Sequence, residues 1–260
     1  MKQKLESKIP GLEVRNLQED DAFKQLKSDG MYDYFRQGQG KNLAAASDVA
    51  RYPIANKYGG FYLDTDDVIQ TGVGLGAVNA GANDVLLNRP VGHSLSNYTS
   101  FYNTSNFGTQ ANNPVITDMI SEMKKRFAAN KAYFMANRPT VARNANGIVQ
   151  YTPEFNTYER KIFETVGPTL FNDNLKLKRP DMYDLGFDGL TRENKVVGSK
   201  LIPQGPVVNI ADDVRQSYLR SGIAPPDTLD EQLVKLKEHY FPLQHRFNVR
   251  IGAEHSWIDS

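Results

Sequence analysis

The fold is decided by the stretch Ser47-Asp48-Val49-Ala50-Arg51-Tyr52 and by the run Lys57-Tyr58-Gly59-Gly60-Phe61-Tyr62-Leu63-Asp64-Thr65-Asp66-Asp67 that follows it. Apolar residues around the first part recur at intervals of three and four, which predicts a helix from Leu43 to Tyr58. Gly59 and Gly60 supply the left-handed cap at which helices often stop. Pro53 predicts a kink or two short helices, because a proline inside a helix removes a backbone hydrogen bond and costs roughly 3 kcal/mol.

Acidic residues follow this helix after a short apolar run. Phe61-Tyr62-Leu63 predicts a short buried strand whose C-terminal end leads into a cleft, where open α/β sheets bind ligands. Asp64 and Asp66 share one face of a regular strand, and they can also approach one cation if the chain turns there. Mn²⁺ and Mg²⁺ prefer oxygen ligands, usually one or two carboxylates with a substrate phosphate. The alternative is an acidic turn that only caps a strand.

Eleven positions of this stretch resemble, in order and spacing, the sugar-binding region of the Asp-x-Asp (DXD) glycosyltransferases. They are Ser47-Asp48-x-x-Arg51-Tyr52 and Tyr58-Gly59-Gly60-x-Tyr62-Leu63-Asp64-x-Asp66. The family includes fungal Golgi mannosyltransferases, related galactosyltransferases and the catalytic domains of the large clostridial glucosylating toxins. The resemblance implies an α/β fold of GT-A type, with a Rossmann-like sheet that binds a nucleotide sugar, added helices, and a metal ion that bridges the pyrophosphate of the sugar donor.

The resemblance also implies roles for single residues. Asp48 and Arg51 would bind the sugar and the nucleotide, and Tyr62 would lie beside the donor. Asp64 and Asp66 would contact the ribose or sugar and the metal, as catalytic residues. Because Asp48 and Arg51 are three residues apart, the alternative is a plain surface ion pair worth about 0.2–0.5 kcal/mol.

The segment Glu254-His255-Ser256-Trp257 is a second candidate part of the site. In the resembling family the chain end closes over the donor, which implies that His255 or Glu254 is a further metal ligand and Ser256 an optional fourth. The resemblance also implies that Trp257, the single tryptophan, contacts the donor phosphate through its indole N–H and takes part in catalysis. A tryptophan that only plugs the surface is the alternative.

Two more features resemble the family. The element Thr165-x-Gly167-Pro168 would end one helix and start the next near the donor. Asn103 or Asn106 would lie near the acceptor, with a loop amide that bonds to the backbone as the alternative.

The rest of the chain gives a coarse prediction of its elements. Asn172 to Lys200 is polar and contains several glycines, so it predicts loops. Strands are predicted at Leu12–Leu17, 84–88 and 247–251, and helices from Pro114, from Pro153 and from Thr228 to Tyr240.

The length of 260 residues predicts one large domain or a domain with a helical appendage, and with the resemblance we expect a single glycosyltransferase domain that spans residues 1–260. Only Met1 to Gly11 precede the strand predicted at Leu12, whereas the family's first strand, with the aromatic residue that stacks on the base, normally lies upstream. The sequence therefore predicts either an N-terminally truncated domain or a rebuilt site for the base.

Composition excludes several classes of function. The net charge of +1 gives no general attraction to nucleic acid or to an anionic membrane. The sequence contains no cysteine, which excludes disulfides, thiolate metal sites and a cysteine nucleophile. No apolar run approaches the length of a membrane span. We therefore expect neither a nucleic-acid partner nor a membrane span.

The sequence as a whole predicts a metal-dependent transferase of a hexose or N-acetylhexosamine from a UDP-sugar, with Mn²⁺ or Mg²⁺ as cofactor. The resemblance implies retention of anomeric configuration. A host protein is the expected acceptor, as in toxin or effector domains that are secreted or translocated into a host cell and act in its cytosol. Two alternatives stay open, namely a bacterial enzyme that builds capsule or lipopolysaccharide, and a degenerate domain that binds a metal or partner without catalysis.

Overall fold

The computed structural model describes residues 4, 6–8, 10–21, 23–24, 29–70, 77–92, 100–147, 149–186 and 229–252. Over these residues the architecture is mixed α/β. The segment from Glu254 to Trp257, which the sequence assigns to the metal and donor site, lies outside the described residues.

Six of the described helices begin with a proline in the first turn or with a capping side chain. They are α1 (Met31–Gln37), α2 (Leu43–Tyr58), α3 (Pro114–Ala129), α4 (Lys131–Phe134), α5 (Pro153–Thr165), α6 (Pro168–Lys178), α7 (Pro180–Leu185), α8 (Leu229–Tyr240) and α9 (Pro242–His245).

The described strands are short and pair in antiparallel fashion. They are β1 (Gly60–Leu63), β2 (Val68–Ile69), β3 (Val85–Leu86), β4 (Val91–Gly92), β5 (Ser100–Phe101), β6 (Asn106–Thr109), β7 (Ala142–Arg143), β8 (Val149–Gln150) and β9 (Val249–Arg250).

Helix α2 is continuous through Pro53, so the prediction of two short helices is wrong. The side chain of Asn42 caps its first turn by accepting from the backbone N–H of Ala45 at 3.0 Å. At the other end Gly59 has a φ of 65° and a ψ of −165°, so the helix ends at a glycine with positive φ as predicted but not in the left-handed helical conformation. The helix buries much of its surface, because it packs against α1, α3 and β1.

The central sheet has the order β1–β6–β3, and β6 is antiparallel to both neighbours. Leu63 at the end of β1 lies opposite Asn106 at the start of β6, which brings the acidic turn beside the asparagine. Strand β1 is only half-buried, not buried as expected. Because every described strand pair is antiparallel, a Rossmann-like parallel sheet stays a prediction.

A core of aromatic and aliphatic side chains joins the sheet to the helices. The ring of Tyr52 on α2 stacks on Phe171 of α6 with 6.2 Å between the ring centroids, and Phe107 of β6 packs against both rings. All three side chains are fully buried. This packing fixes α2, and with it Asp48 and Arg51, relative to β6.

The C-terminal elements dock on the central sheet. The backbone N–H of Leu87 donates to the carbonyl of Tyr240 at 2.7 Å, and the amide of Asn88 donates to the carbonyl of Val249 at 3.1 Å. Strand β9 pairs with β2, which follows the acidic turn directly. Residues 249–252 are therefore fixed beside the end of β1.

The structure confirms some of the other predicted helices and strands and contradicts the rest. Val85–Leu86, Val249–Arg250 and the helices after Asn113 and Thr152 confirm the predicted elements. Residues 12–16 form no strand, and a 3₁₀ helix follows at 17–19. The loops expected from residue 172 are also wrong up to residue 185, because α6 and α7 bury apolar residues there. No helix of the described residues is long and apolar enough to cross a lipid bilayer.

Candidate active site

Asp48 and Arg51 lie one turn apart on α2 and form an ion pair of 3.2 Å. The exposed fractions of the two residues are 8% and 4%, so the alternative of a solvated surface pair is wrong. The guanidinium of Arg51 also donates to the carbonyl and the hydroxyl of Thr104 at 2.6 and 3.0 Å. The Thr104 hydroxyl in turn donates to Asp48 at 3.2 Å, which closes a buried network between α2 and the segment before β6.

Tyr62 and Asp64 extend this network along β1. The Tyr62 hydroxyl donates to Asp64 Oδ1 at 2.6 Å, and Arg51 lies 3.4 Å from the same oxygen. The Arg51 guanidinium also lies 4.9 Å from the centroid of the Tyr62 ring, within reach of a cation–π contact. Ser47 completes the group, since its hydroxyl accepts from Arg51 at 3.2 Å and lies 3.1 Å from that of Tyr62. The structure thus brings together four site residues that the sequence predicts.

The electrostatics of the network follow from its burial. Burial raises the pKa of Asp48 to about 6, although Arg51 acts in the opposite direction. Burial likewise raises the pKa of Asp64, against the effect of Arg51 and of the Tyr62 hydroxyl. The pKa of Tyr62 rises to about 12 because the ring is buried, so its hydroxyl stays protonated and serves as a donor to Asp64.

Asp66 and Asp67 lie in a turn that the backbone N–H of Asp67 closes by donating to the carbonyl of Asp64 at 3.1 Å. Both carboxylate oxygens of Asp67 are engaged, by the amide of Asn106 at 2.8 Å and by the backbone N–H of Gly252 at 3.0 Å. Asp66 is half-buried and makes no hydrogen bond or ion pair with the residues that the structure describes. Of the three acidic residues of the turn, Asp66 is the one whose carboxylate makes no contact of this kind, whereas Asp64 is engaged through Oδ1.

The Thr165-x-Gly167-Pro168 element meets the first motif at Asp48. A Cβ added to Gly167 would lie 3.2 Å from Asp48 Oδ2, so a side chain at this position would crowd the carboxylate. The Thr165 hydroxyl and the Tyr52 hydroxyl are buried without a hydrogen-bond partner among the described residues, as is Nε of Arg51. Unpaired buried polar groups of this kind are costly to the fold.

The donor atoms at the turn fit a hard divalent cation. They are carboxylate oxygens, which Mg²⁺ and Mn²⁺ prefer. Within the described residues no group of three Asp, Glu, His or Cys side chains converges. Asp64 is committed in part to Tyr62 and Arg51, so Asp66 is the carboxylate of the turn that is most available to a cation. Mg²⁺ commonly takes one or two protein carboxylates and completes its shell with phosphate and water.

The remaining predicted ligands, Glu254 and His255, lie outside the described residues. Their roles, and those of Ser256 and Trp257, stay predictions.

Sequence reasoning missed Thr104, Gly252 and the role of Asp67. Thr104 lies 53 positions from Arg51 in a polar segment without a motif, so no local pattern marks it. Asn106, which was one of two candidates for an acceptor asparagine, lies at the acidic turn instead of standing alone in a loop. Asn103 accepts from the backbone N–H of Ser105, as the loop-amide alternative predicted.

The first 86 residues match the family model described as "Glycosyltransferase sugar-binding region containing DXD motif". This match confirms the resemblance for the part of the chain that holds α2, β1 and the acidic turn. No curated protein matches the sequence.

Two solved structures are similar at low identity. The PaToxG glycosyltransferase is 15% identical over 92% of this chain and 68% of its own, with a TM-score of 0.48. The catalytic domain of alpha-toxin from Clostridium novyi is also 15% identical, over 92% of this chain and 52% of its own, with a TM-score of 0.38. This chain thus spans about half of the alpha-toxin domain, and both scores are too low to assign a fold.

Proposed function

We propose that this protein is a metal-dependent glycosyltransferase with a GT-A-like site that uses a UDP-sugar as donor. One observation carries the proposal. Within a stretch that matches the DXD sugar-binding region, the fold engages Asp64 and Asp67 in hydrogen bonds and leaves the Asp66 carboxylate available at the turn.

Asp66 would hold the divalent ion, with a residue of the segment 254–256 as the second protein ligand. Once bound, the ion supplies Lewis-acid stabilisation of the negative charge that develops on the leaving diphosphate. Asp64, Asp48 and Tyr62 would face the sugar and the ribose. Their orientation is fixed in advance by hydrogen bonds, which favours catalysis because little reorganisation is needed.

Arg51 has a double role in this proposal. Burial lowers the pKa of Arg51, but the neighbouring Asp48, Tyr62 and Asp64 raise it by more than burial lowers it. The side chain is therefore a permanent cation. That charge stabilises the two buried carboxylates and adds a positive potential at the floor of the donor site. Because Arg51 is nearly inaccessible, it acts on the donor chiefly through the residues that it holds.

The DXD stretch resembles toxin and effector domains as well as Golgi enzymes, and we extend the proposal to a protein acceptor, with a hexose or N-acetylhexosamine as the transferred sugar and retention of its configuration. A glycan acceptor is the alternative outcome. Incubation of the protein and a radiolabelled donor with cell lysate, or with bacterial polysaccharide, distinguishes the two by the molecule that becomes labelled.

The donor site is tested by hydrolysis of UDP-glucose, UDP-galactose, UDP-N-acetylglucosamine and GDP-mannose, with Mn²⁺ or with chelator. The released nucleoside diphosphate is measured by chromatography. The test compares the wild type with Asp66→Asn, which keeps the shape of the side chain and removes its charge. Asp118→Asn is the matched control, because Asp118 pairs with Lys178 on the surface, on helix α3.

We expect hydrolysis of one donor that requires Mn²⁺, and a loss of about a hundredfold or more in Asp66→Asn. The Asp118→Asn control keeps the activity. Equal activity with chelator, or in Asp66→Asn, would contradict the assignment of the metal site. If no donor is hydrolysed and none raises the thermal midpoint, the transferase proposal fails and a non-catalytic domain remains.

A further inference from the structure

Asp67 differs from its two acidic neighbours because both of its carboxylate oxygens are occupied by donors from distant parts of the chain. The Asn106 amide comes from the start of β6, and the Gly252 backbone N–H comes from the residues after β9. The three residues span 185 positions of sequence but meet at one carboxylate. Asp67 therefore ties the central sheet to the C-terminal segment.

Gly252 approaches the neighbouring Asp66 more closely than any other residue type could. A Cβ added at this position would lie 1.9 Å from Oδ2 of Asp66, far inside any real contact. The backbone at residue 252 thus packs directly against the carboxylate that the proposed function assigns to the metal. The same residue donates its backbone N–H to Asp67 at 3.0 Å.

The pairing of β2 with β9 supports the same arrangement. Val68 lies opposite Arg250 and Ile69 opposite Val249, so the chain that leaves the acidic turn runs beside the chain that leads to Gly252. The backbone N–H of Gln70 donates to the carbonyl of Asn248 at 3.3 Å beyond this short ladder. Strands of two residues have little stability alone, and Asp67 extends the ladder at the end nearest to Asp66.

We propose that Asp67 is a positioning residue, which holds Gly252 against Asp66 and thereby fixes the position of the Asp66 carboxylate in the metal site. This inference rests on the proposed function. It explains why an aspartate is needed here, because both partners are N–H donors and a carboxylate accepts from both. An asparagine at position 67 would turn its own amide N–H₂ towards one of the two donors and lose that hydrogen bond.

The contact is tested by the hydrogen exchange of the Gly252 amide. The sequence contains a single Ile-Gly pair, Ile251-Gly252, so labelling with [1-¹³C]isoleucine and [¹⁵N]glycine gives one unambiguous NMR signal. Exchange is measured in the wild type, in Asp67→Ala and in Asp118→Ala as the matched control. We expect exchange about tenfold faster or more in Asp67→Ala, and an unchanged rate in the control.

The effect on the site is tested by the affinity for Mn²⁺ in the presence of UDP, from the electron paramagnetic resonance signal of free Mn²⁺. We expect the Kd to rise by about tenfold or more in Asp67→Ala, as for other residues that orient a metal ligand. A residue with a purely structural role would lower the thermal midpoint and leave this Kd unchanged. If Asp67→Ala does not fold, Asp67→Asn takes its place. The exchange rate of the Gly252 amide in Asp67→Asn should lie between that of the wild type and that expected for Asp67→Ala.

Two results would overturn the inference. An unchanged exchange rate of Gly252 in both Asp67 variants would show that Asp67 does not hold this residue. Faster exchange with an unchanged Kd for Mn²⁺ would show that the contact has no bearing on the metal site. If the wild type itself binds no Mn²⁺ with UDP, the proposed function fails, and the positioning role fails with it, even where the exchange data confirm the contact.

Discussion

Glu159 on helix α5 is a buried carboxyl group whose ionisation should destabilise the fold. The residue is 2% exposed, and neither carboxylate oxygen has a hydrogen-bond partner among the described residues. Burial alone raises its pKa from 4.5 to about 7. The folded protein therefore keeps a proton on Glu159 at pH values where the unfolded chain has lost it.

The magnitude follows from this shift. Since one pKa unit corresponds to about 1.4 kcal/mol, the raised pKa costs the folded state roughly 3 kcal/mol at about pH 8 and roughly 1 kcal/mol at about pH 5. The free energy of unfolding should thus fall as the pH rises from about 4.5 to about 7. Glu159→Gln has no titrating group at this position, so its gain over the wild type should be about 2 kcal/mol larger at pH 8 than at pH 5.

Urea unfolding at the two pH values, followed by circular dichroism, measures this difference. Glu122→Gln is a suitable control, because Glu122 lies on α3 at the surface and is paired with Arg126. The control should not reproduce the pH-dependent gain. If the stability of Glu159→Gln relative to the wild type is the same at both pH values, Glu159 is not a protonated buried acid and the reasoning is refuted.

Two other predictions concern buried ion pairs. Arg51→Lys cannot reproduce the bonds to Thr104 and the two carboxylates. We therefore expect the free energy of unfolding in urea to fall by about 3 kcal/mol and donor hydrolysis to weaken. An unchanged stability would contradict a stabilising role of Arg51 in the network. Although burial raises the pKa of Asp84, hydrogen bonds from His239 and Arg179 lower it to about 2. Asp84→Asn should therefore lower the free energy of unfolding by about 2 kcal/mol at neutral pH, and by less as the pH falls from about 4 to 2. A loss that does not depend on pH would show that the lowered pKa of Asp84 is not its cause.

The part of the site that lies within one motif could be predicted from the sequence. Helical spacing places Asp48 and Arg51 on one face of α2, and the two glycines end that helix just before β1. The turn at Asp64 follows from the change from apolar to acidic residues. These features depend on local periodicity and turn chemistry, which a single sequence reveals.

The burial of the pair could not be predicted in this way. Asp48 and Arg51 look like an exposed ion pair on a helix, and they are buried only because the segment with Thr104 and the turn at Gly167 cover them. Both covering elements come from more than 50 positions away. Such contacts are set by tertiary packing, which spacing in the sequence does not encode.

The errors in the predicted elements have a similar cause. The alternation at residues 12–16 is typical of a strand, but no partner strand lies beside it among the described residues, so no ladder forms. The sequence pattern did not predict helix α6, because polar residues such as Asn172 and Asn174 interrupt its apolar spacing. Both asparagines are buried and bond to helix carbonyls four residues earlier, at Pro168 and Leu170.

The central claim, that Asp66 holds a divalent ion that binds the donor diphosphate, is tested most directly by the Mn²⁺ dependence of UDP binding in calorimetry. The account predicts that Mn²⁺ strengthens binding of UDP to the wild type by about tenfold or more, and that Asp66→Asn abolishes this gain. The Asp118→Asn control should keep it. UDP that binds equally well with chelator, or an Asp66→Asn variant that keeps the full effect of Mn²⁺, would contradict the account.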